Sequence, residues 1–338
     1  MKALQLVGTR KLRFVDLPEP TIKEDEVLLK VKKVGICGTD LHLYQGGMKV
    51  PLPLIMGHEF VGEVTKVGSL VTNVRVGDKA TAEHVIGCGT CRYCVYGKKN
   101  LCLKPTVIGL HRPGALAEYM AIPAELVYPL PKDLTYDDGV LVEPLSIAVY
   151  GVRKAGVAVG DTVAVVGQGP IGLFLNQVAK AAGARVYGFD IIPARLDYAL
   201  HHHIADGTVN TKLESIFESF ERQSGERDAD IVFEVVGQEA TMRLALDLVR
   251  PEGKVVVLGV FEHDVKISMM SIVKREVQVM GSWTCLNVFE PTINLLSSKR
   301  ITTEGLITHR YPFKHAMQAF TDAFSYGDNR IKTVIEFD

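Results

Sequence analysis

The chain has 338 residues, of which 47% are hydrophobic and 23% charged, and its formal net charge at pH 7 is −1. This length suggests about two domains, and the near-neutral charge gives no overall attraction to nucleic acid or to an anionic membrane. No apolar run approaches the roughly 18–20 residues of a membrane span, and the N-terminal segment lacks the apolar core of a signal peptide. We therefore expect a cytoplasmic protein that binds neither nucleic acid nor membranes.

The N-terminal part of the chain has the pattern of a small β-rich domain. Val27, Leu29 and Val31 alternate with lysines, which predicts a strand with one buried face. Glycines recur from position 57 onward, as expected for turns between antiparallel strands. Residues 135–155 have a helical pattern, and the next domain begins near residue 160.

Four of the six cysteines lie close together in the β-rich part, and they are Cys88, Cys91, Cys94 and Cys102. Four thiolates at this spacing can surround a tetrahedral zinc ion, and a site filled by four protein ligands is structural. An iron–sulfur cluster or free thiols are the alternatives. Four basic residues lie nearby: Arg92, Lys98, Lys99 and Lys104. They leave open a zinc module that binds nucleic acid, but the near-neutral charge of the chain favours a lobe whose charges simply face solvent.

A second group of possible metal ligands is spread along the first half of the chain. Cys37, His58 and Glu59 each lie beside a glycine or close to one, and Glu143 lies in an apolar stretch. One thiolate, one imidazole and one or two carboxylates suit a zinc ion that keeps a position open for water or substrate. Each residue alone is weak support for a metal site, because a single cysteine, histidine or glutamate is usually structural. Glu143, for example, also fits a carboxylate at a helix N-terminus.

A glycine-rich turn follows the short apolar run at residues 163–166. Gly167 allows the turn, Gly169 lets the backbone approach a pyrophosphate, and Gly172 lets the following helix pack on the strand. Pro170 fits the first helical turn, where its missing N–H costs nothing. The N-terminus of the helix over residues 173–182 then offers unpaired N–H groups to phosphates.

Asp190 strengthens this interpretation, because it follows a second apolar run at the distance expected of a carboxylate on a ribose 2′-hydroxyl. An ordinary βαβ turn that binds nothing remains the alternative. Strands and helices alternate from residue 162 to about 283, which predicts a doubly wound parallel sheet. The predicted strands cover residues 162–166, 185–190, 230–236, 254–258 and 277–281. Residues 286–298 and 315–324 are predicted helices, and a last strand covers residues 331–337.

Taken together, these motifs resemble the zinc-containing medium-chain dehydrogenases in order and spacing, over nearly the whole chain. The matching stretches are Cys37-Gly38-Thr39-Asp40, Gly57-His58-Glu59-x-x-Gly62, the four cysteines and the turn at 167–172. Two branches are most similar, the polyol and sugar-acid dehydrogenases and the L-threonine 3-dehydrogenases. Residues 37–42 and 307–310 resemble both the threonine enzymes and some hexonate enzymes, whereas Glu143-Pro144 resembles the polyol side. The segment 280–283 matches neither branch closely.

The resemblance implies an α/β plus β architecture. A GroES-like catalytic domain covers residues 1–150 with a zinc lobe at 88–102, a Rossmann domain covers 151–285, and residues 286–338 return to the catalytic domain. It implies two zinc ions per subunit and a homo-oligomer, either a tetramer or a dimer. The catalytic zinc ligands carried over by position are Cys37, His58 and Glu59, with Glu143 close enough to ligate the metal or hold its water.

The same resemblance assigns the remaining site residues. Thr39 is the first proton acceptor and relays to the cofactor ribose and His42, although His42 also fits a surface or core histidine. NAD is expected rather than NADP because Asp190 would repel a 2′-phosphate, while Arg195 beside the adenosine softens that preference. Further contacts along the cofactor, each equally compatible with core packing or a backbone turn, are Ile171, Leu258, Gly259, Val260 and Trp283.

The expected reaction is the oxidation of a secondary alcohol of a polyol or sugar acid to a ketone with NAD⁺. L-Threonine 3-dehydrogenase activity is the alternative enzyme function. A nucleotide-binding relative without catalytic activity is the alternative of another class, and the complete set of metal ligands together with Thr39 argues against it.

Overall fold

The computed structural model describes residues 1–324 and 329–338. Its strands in chain order are β1 (Lys2–Gly8), β2 (Lys11–Asp16), β3 (Glu26–Ile36), β4 (Leu54–Ile55), β5 (Glu59–Val67), β6 (Lys79–Ala82), β7 (Val85–Ile86), β8 (Thr106–Val107), β9 (Tyr119–Pro123), β10 (Val127–Pro129), β11 (Thr162–Val166), β12 (Arg185–Asp190), β13 (Gly207–Asn210), β14 (Ala229–Glu234), β15 (Val249–Val257), β16 (Gln278–Gly281), β17 (Ile307–Pro312) and β18 (Lys332–Glu336).

Its helices are α1 (Gly38–Gln45), α2 (Arg92–Val95), α3 (Tyr136–Val140), α4 (Val142–Ala155), α5 (Pro170–Ala181), α6 (Pro193–His201), α7 (Ile216–Ser224), α8 (Glu239–Leu248), α9 (Met269–Val273), α10 (Phe289–Ser297) and α11 (Ala316–Asp322). Among the described residues, no helix combines the length and apolar composition needed to cross a lipid bilayer. The chain divides into two compact units, one formed by Met1–Glu143 with Leu286–Asp338 and the other by Pro144–Cys285.

The first unit is built around a seven-stranded sheet in the order β10-β6-β5-β3-β18-β17, in which β9 also pairs with β3. Val27, Leu29 and Val31 of β3 are fully buried, as their alternation predicts. Leu28 breaks that alternation and is buried too. The pairing of β3 with β5 shifts register between Leu28 and Leu29, and such a bulge re-aims side chains within a strand.

The last strand, β18, runs antiparallel to β3, with Thr333 opposite Ile36 and Val334 opposite Gly35. The C-terminal residues therefore belong to the same sheet as the N-terminal ones. Strand β17, which the sequence did not predict, lies parallel to β18 at the edge of this sheet. Its residues alternate between half-buried and exposed, as in an edge strand. Because few of them are apolar, the sequence shows no clear hydrophobic alternation there.

The second unit is a six-stranded sheet in the order β13-β12-β11-β14-β15-β16, and every pair in it is parallel. This order is that of the doubly wound dinucleotide-binding fold, so the predicted fold class is confirmed. All residues of β11 are buried, because helices cover both faces of such a sheet. Strand β13 was missed, since four residues with two polar side chains give no clear period.

The predicted helix over residues 135–155 is two helices in the structure. Thr135 caps α3 by accepting a hydrogen bond from the backbone N–H of Asp138, and α3 ends at Val140, with Leu141 as its C-cap. A new helix, α4, begins at Val142, so Glu143 lies in its first turn. The break matters for function, because it places a buried carboxylate at a helix start rather than in the middle of a long helix.

Candidate active site and metal centres

Cys37, His58 and Glu59 form one compact group of possible metal ligands. One ligand atom of each lies within 4.8 Å of the others, and His58 and Glu59 are buried. Strand pairing brings them together, because Gly35 of β3 lies opposite Glu59 at the start of β5, and Cys37 follows β3 as the N-cap of α1. The structure therefore unites the first three predicted ligands.

Asp40 orients two members of this group, although the sequence analysis gave it no role. It is buried, its Oδ2 accepts a hydrogen bond from the backbone N–H of Cys37 at 2.9 Å, and its Oδ1 lies 3.5 Å from His58 Nδ1. A carboxylate facing one imidazole nitrogen leaves the other, Nε2, for a metal. The available signal was the acidic residue three positions after the N-cap cysteine, a helix-capping position.

Charge complementarity in this group favours a bound cation. Burial alone lowers the pKa of His58, but the negative charges of Asp40 and Cys37 offset it and raise that pKa well above the ordinary value. Burial raises the pKa of Asp40, yet the facing His58 charge outweighs it and leaves the pKa below its usual range. The acidic surroundings that hold a proton on His58 also stabilise a divalent metal at the same place.

Glu143 faces a third histidine, His84, which the sequence analysis did not select. Glu143 Oε1 lies 3.4 Å from His84 Nδ1, and the rings of His84 and His58 are 5.3 Å apart. Burial, followed by the charge of Glu59, raises the pKa of Glu143 to about 8. A buried carboxylate next to another one is destabilised as an anion unless a cation compensates it.

The chemistry of this donor set fits a catalytic zinc ion. Thiolate, imidazole and carboxylate are the usual zinc ligands, and Cys37, His58 and Glu59 offer one of each within 4.8 Å of one another. A zinc ion held by Cys37, His58 and one carboxylate keeps a position open for a small ligand. Glu143 is the second carboxylate available to such an ion.

Thr39 and His42 lie in the first turns of α1, directly after Cys37. Residues three positions apart share a face of a helix, so both side chains project from the same side of α1. Each is partly exposed rather than buried in the core. This placement is compatible both with the predicted relay, which stays a prediction, and with a surface histidine at position 42.

The four cysteines of the lobe also converge. The Sγ atoms of Cys88, Cys91, Cys94 and Cys102 all lie within 4.8 Å of one another, and Cys91 Sγ and Cys102 Sγ are 3.9 Å apart. Tetrahedral zinc with four bonds of about 2.3 Å requires sulfurs about 3.8 Å apart, so the geometry suits that ion. The backbone N–H of Cys91 donates to Cys88 Sγ and lowers the pKa of the Cys88 thiol to about 6.

The glycine turn has the shape of a phosphate-binding loop. Gly167 has a φ of +105°, and a Cβ on Gly172 would stand 1.8 Å from the carbonyl oxygen of Gly167. A Cβ on Gly169, by contrast, would meet only Arg195 Nη1, at 4.0 Å, and Gly169 is the N-cap of α5, with Pro170 at the first helical position. The turn therefore leaves helix N–H groups uncovered where a pyrophosphate would bind.

Asp190 ends β12 beside this turn. Its Oδ2 accepts from the backbone N–H of Gln168 at 2.6 Å, and its Oδ1 accepts from the N–H groups of Ile191 and Ile192. Arg195 Nη1 lies 3.8 Å from Asp190 Oδ2. The carboxylate is thus held rigidly next to the turn, and a guanidinium stands beside it.

The other predicted cofactor contacts follow strands of the same sheet or begin α5. Leu258, Gly259 and Val260 come directly after β15, and Trp283 follows β16 and is exposed. Ile171 lies in the first turn of α5 and is half-buried. In open parallel sheets, ligands bind outside the carboxyl ends of the strands, and all five residues lie at that edge of the sheet or beside it.

Comparison with known proteins agrees with this geometry. Residues 23–132 match the model of the alcohol dehydrogenase GroES-like domain, and residues 170–298 match that of the zinc-binding dehydrogenases. The chain belongs to the zinc-containing medium-chain dehydrogenase family. Sorbitol dehydrogenase of Bacillus subtilis (strain 168) is 32% identical over 99% of this chain and 97% of its own length.

Two solved structures show the same fold with a bound nicotinamide cofactor. An alcohol dehydrogenase from Escherichia coli CFT073 in complex with NADH is 31% identical, with a TM-score of 0.93 over 100% of this chain and 99% of that one. A zinc-binding dehydrogenase from Sinorhizobium meliloti 1021 bound to NADP is also 31% identical, with a TM-score of 0.91 over 99% and 98% of the two chains. This protein is accordingly an alcohol dehydrogenase of the zinc-dependent type.

Proposed function

We propose that this protein oxidises a secondary alcohol of a polyol or sugar acid to the ketone and reduces NAD⁺ to NADH. The observation that carries the proposal is the group of Cys37, His58 and Glu59, whose ligand atoms lie within 4.8 Å of one another and whose imidazole and carboxylate are buried. Such a set holds zinc with an open position, which is the arrangement of catalytic rather than structural zinc. The relative from Bacillus subtilis, named for sorbitol, supports a polyol as substrate.

A zinc ion held by Cys37, His58 and one carboxylate would supply Lewis acidity that lowers the pKa of the substrate hydroxyl, and a nicotinamide cofactor would supply the hydride acceptor. The protein residues move the proton and hold the site in shape. Thr39 would accept the hydroxyl proton and pass it on toward His42. Asp40 keeps His58 in the ligating tautomer through Nδ1.

NAD⁺ is the proposed cofactor because Asp190 stands beside the glycine turn as a fixed carboxylate. It is suited to accept hydrogen bonds from a ribose 2′-hydroxyl and repels a 2′-phosphate. Arg195 is close enough to reduce this discrimination, because its guanidinium lies 3.8 Å from the same carboxylate. The relatives include both an NADH complex and an NADP complex, so the preference rests on these two residues.

Among substrates, polyols are favoured over L-threonine. Residue 143 is a glutamate, as in the polyol branch, whereas the threonine enzymes usually carry an aspartate there. Glu143 is buried beside His84. Threonine would also require partners for its ammonium and carboxylate groups. The matching stretch at residues 37–42 keeps L-threonine 3-dehydrogenase activity as the second candidate.

A second zinc ion is proposed for the lobe, where it would be structural. The Sγ spacing suits a closed four-thiolate site. All six cysteines are free of disulfide bonds, which agrees with a reducing compartment such as the cytoplasm. We expect metal analysis to find two zinc ions per chain, and Cys94→Ser to retain only the catalytic one. Iron with visible absorbance would contradict the assignment.

A homodimer or a tetramer built from dimers is proposed as the assembly. Strand β16 is the last in its sheet order, and Val279 on it is exposed, as are Met269, Met270 and Val273 of α9. An unpaired, apolar sheet edge is a template for pairing with a second copy. Light scattering should give a multiple of the 37.1 kDa chain mass, and Val279→Lys should dissociate it; a monomeric wild type would overturn the proposal.

The function is tested by an NAD⁺ reduction screen of the zinc-loaded protein over polyols, aldonates and L-threonine. The proposal expects absorbance of NADH with a polyol or aldonate, and loss of that activity in Cys37→Ser with the fold intact. Turnover of threonine alone would select the second candidate. NADH binding without turnover of any alcohol would indicate a non-catalytic nucleotide-binding protein instead.

A further inference from the structure

His84 is a buried histidine of the catalytic centre that ligation does not explain. It lies between β6 and β7, is 6% exposed, and is outside the compact ligand group formed by Cys37, His58 and Glu59. Its Nδ1 lies 3.4 Å from Glu143 Oε1 yet makes no hydrogen bond to a described residue. Leaving a buried donor or acceptor without a partner is costly, so such a group calls for an explanation, such as a role at a functional site.

The His84 ring can serve as a hydrogen-bond donor in either protonation state, because even the neutral imidazole carries one N–H that can be donated to a carboxylate. Glu143 is the carboxylate that His84 Nδ1 faces, and a modest rotation of either side chain closes the 3.4 Å gap to a hydrogen bond.

The backbone position of His84 is fixed from the side of the four-cysteine lobe. The residue before it, Glu83, is buried and forms an ion pair with Lys99, and Tyr128 donates its hydroxyl to Glu83 at 3.2 Å. Lys99 begins the short 3-10 turn that leads to Cys102, whose N–H donates to the carbonyl of Lys99 at 3.1 Å.

A second contact joins the same parts. A Cβ on Gly87 would stand 2.8 Å from Cys94 Sγ and 3.1 Å from Lys99 Cβ, so the end of β7 packs directly against the lobe. The carbonyl of His84 also accepts from the N–H of Ile108 at 2.9 Å. The lobe, the Glu83–Lys99 pair and His84 are thus continuous through packed, hydrogen-bonded atoms.

We propose that His84 is a positioning residue that orients the Glu143 carboxylate toward the catalytic metal, and that the Lys99–Glu83 ion pair makes its position depend on the four-cysteine lobe. The inference rests on the proposed catalytic zinc but not on the identity of the substrate. The lobe then has a second role besides local stability: it sets the ligand field of a metal held elsewhere in the same unit.

The first test replaces the catalytic zinc by Co²⁺, with zinc retained in the lobe, and records the visible absorption bands without substrate. His84→Ala should shift these bands and speed metal release to a chelator by about 10- to 100-fold, the usual effect of removing a group that orients a metal ligand. His84→Asn, which keeps an amide nitrogen near the place of Nδ1, should restore both. His84→Gln, which places the amide nitrogen near the position of Nε2 instead, should behave like His84→Ala.

The second test addresses the coupling to the lobe. The paired change Glu83→Gln with Lys99→Met removes the ion pair without leaving a buried lone charge. It should shift the cobalt bands in the same direction as His84→Ala, whereas Lys98→Met, an exposed neighbour, should not. In the His84→Ala background the paired change should add nothing, as expected for groups that act through one another.

The outcomes separate the possible failures. Unshifted cobalt bands in a folded, cobalt-loaded His84→Ala protein would overturn the positioning role. Equal shifts in the asparagine and alanine variants would overturn the role of Nδ1, and additive effects of His84→Ala and the paired change would overturn the coupling. Failure of the proposed dehydrogenase function would appear differently, as absence of turnover in the wild type with these spectra unaffected.

Discussion

Lys332 forms a buried ion pair with Glu59, the carboxylate of the three-ligand group. Both side chains are almost fully enclosed, and Lys332 Nζ also donates to the carbonyl of Ile36 at 3.1 Å. A Cβ on Gly35 would stand 2.9 Å from Lys332 Cε and 2.2 Å from Glu59 Oε2, so only glycine leaves room for the pair. Glu59 therefore has two possible cationic partners, a lysine and a metal.

Replacing Lys332 by methionine should destabilise the metal-free protein much more than the zinc-loaded one. Without the lysine, the Glu59 charge is buried alone, which costs about 3–5 kcal/mol, whereas bound zinc gives that carboxylate another cation. Urea unfolding of both forms measures the difference, with Lys23→Met as an exposed control. An equal loss with and without zinc would show that the two cations do not share Glu59.

Changing either of two glycines of the turn to alanine should affect different properties, stability for one and cofactor binding for the other. Gly172→Ala should lower the melting temperature, because its Cβ meets the carbonyl oxygen of Gly167 at 1.8 Å. Gly169→Ala should leave the melting temperature nearly unchanged, because its φ is −70° and its surroundings are open, but should weaken NADH binding by blocking close approach of the pyrophosphate. Thermal melts and fluorescence titration with NADH distinguish the two. If Gly169→Ala bound NADH as the wild type does, the phosphate-binding role of the turn would be wrong.

Cofactor preference should depend on Asp190 and Arg195 in opposite directions. Asp190→Ala should lower kcat/KM for NAD⁺ by roughly tenfold, equivalent to about 1.4 kcal/mol, and relieve repulsion of the 2′-phosphate of NADP⁺. Arg195→Ala should instead make the enzyme stricter for NAD⁺, because a cation near the 2′-position is lost. The ratio of kcat/KM for the two cofactors measures both. A wild type that prefers NADP⁺ would overturn the assignment of Asp190.

The free energy of unfolding should fall in acid, because a network of charged residues on the first unit loses its negative charges there. Hydrogen bonds from Arg310 are the main cause that lowers the pKa of Asp137. Burial raises the pKa of Glu336, but Lys33 and Arg310 outweigh it and lower that pKa. A carboxylate whose folded pKa is lowered contributes stability above its unfolded pKa, about 4, and loses it as pH falls through the folded value.

We therefore expect the free energy of unfolding to drop on acidification below about pH 4.5, and to drop less steeply in Asp137→Asn. Urea unfolding at a series of pH values measures the slope. Both partners are partly exposed, so the effect should shrink in high salt. An identical slope in the variant would mean that Asp137 has no part in the acid sensitivity.

Short-range patterns predicted much of this protein. The strand at Thr162–Val166, the glycine turn and Asp190 are encoded within about thirty residues, where spacing alone defines a βαβ unit. The four cysteines likewise lie close in sequence and converge in space. The break of the helix at Leu141 was missed, because an unbroken apolar pattern runs across it, and β13 is too short to show a period.

The sequence by itself determined the fold class, the four-cysteine group and the dinucleotide turn, because each is carried by residue types at fixed local spacing. The group of Cys37, His58 and Glu59 is spread along the chain, so it was predicted only through the family resemblance. Only the tertiary structure decided that Asp40 faces His58, that Lys332 reaches Glu59 from the other end of the chain, and that His84 faces Glu143. Only Lys332 and Glu59 lie on strands, where a one-residue slip of register would turn each side chain to the opposite face of its sheet. Asp40 and Glu143 lie in helices, so the other two pairs depend on where tertiary packing places the starts of those helices.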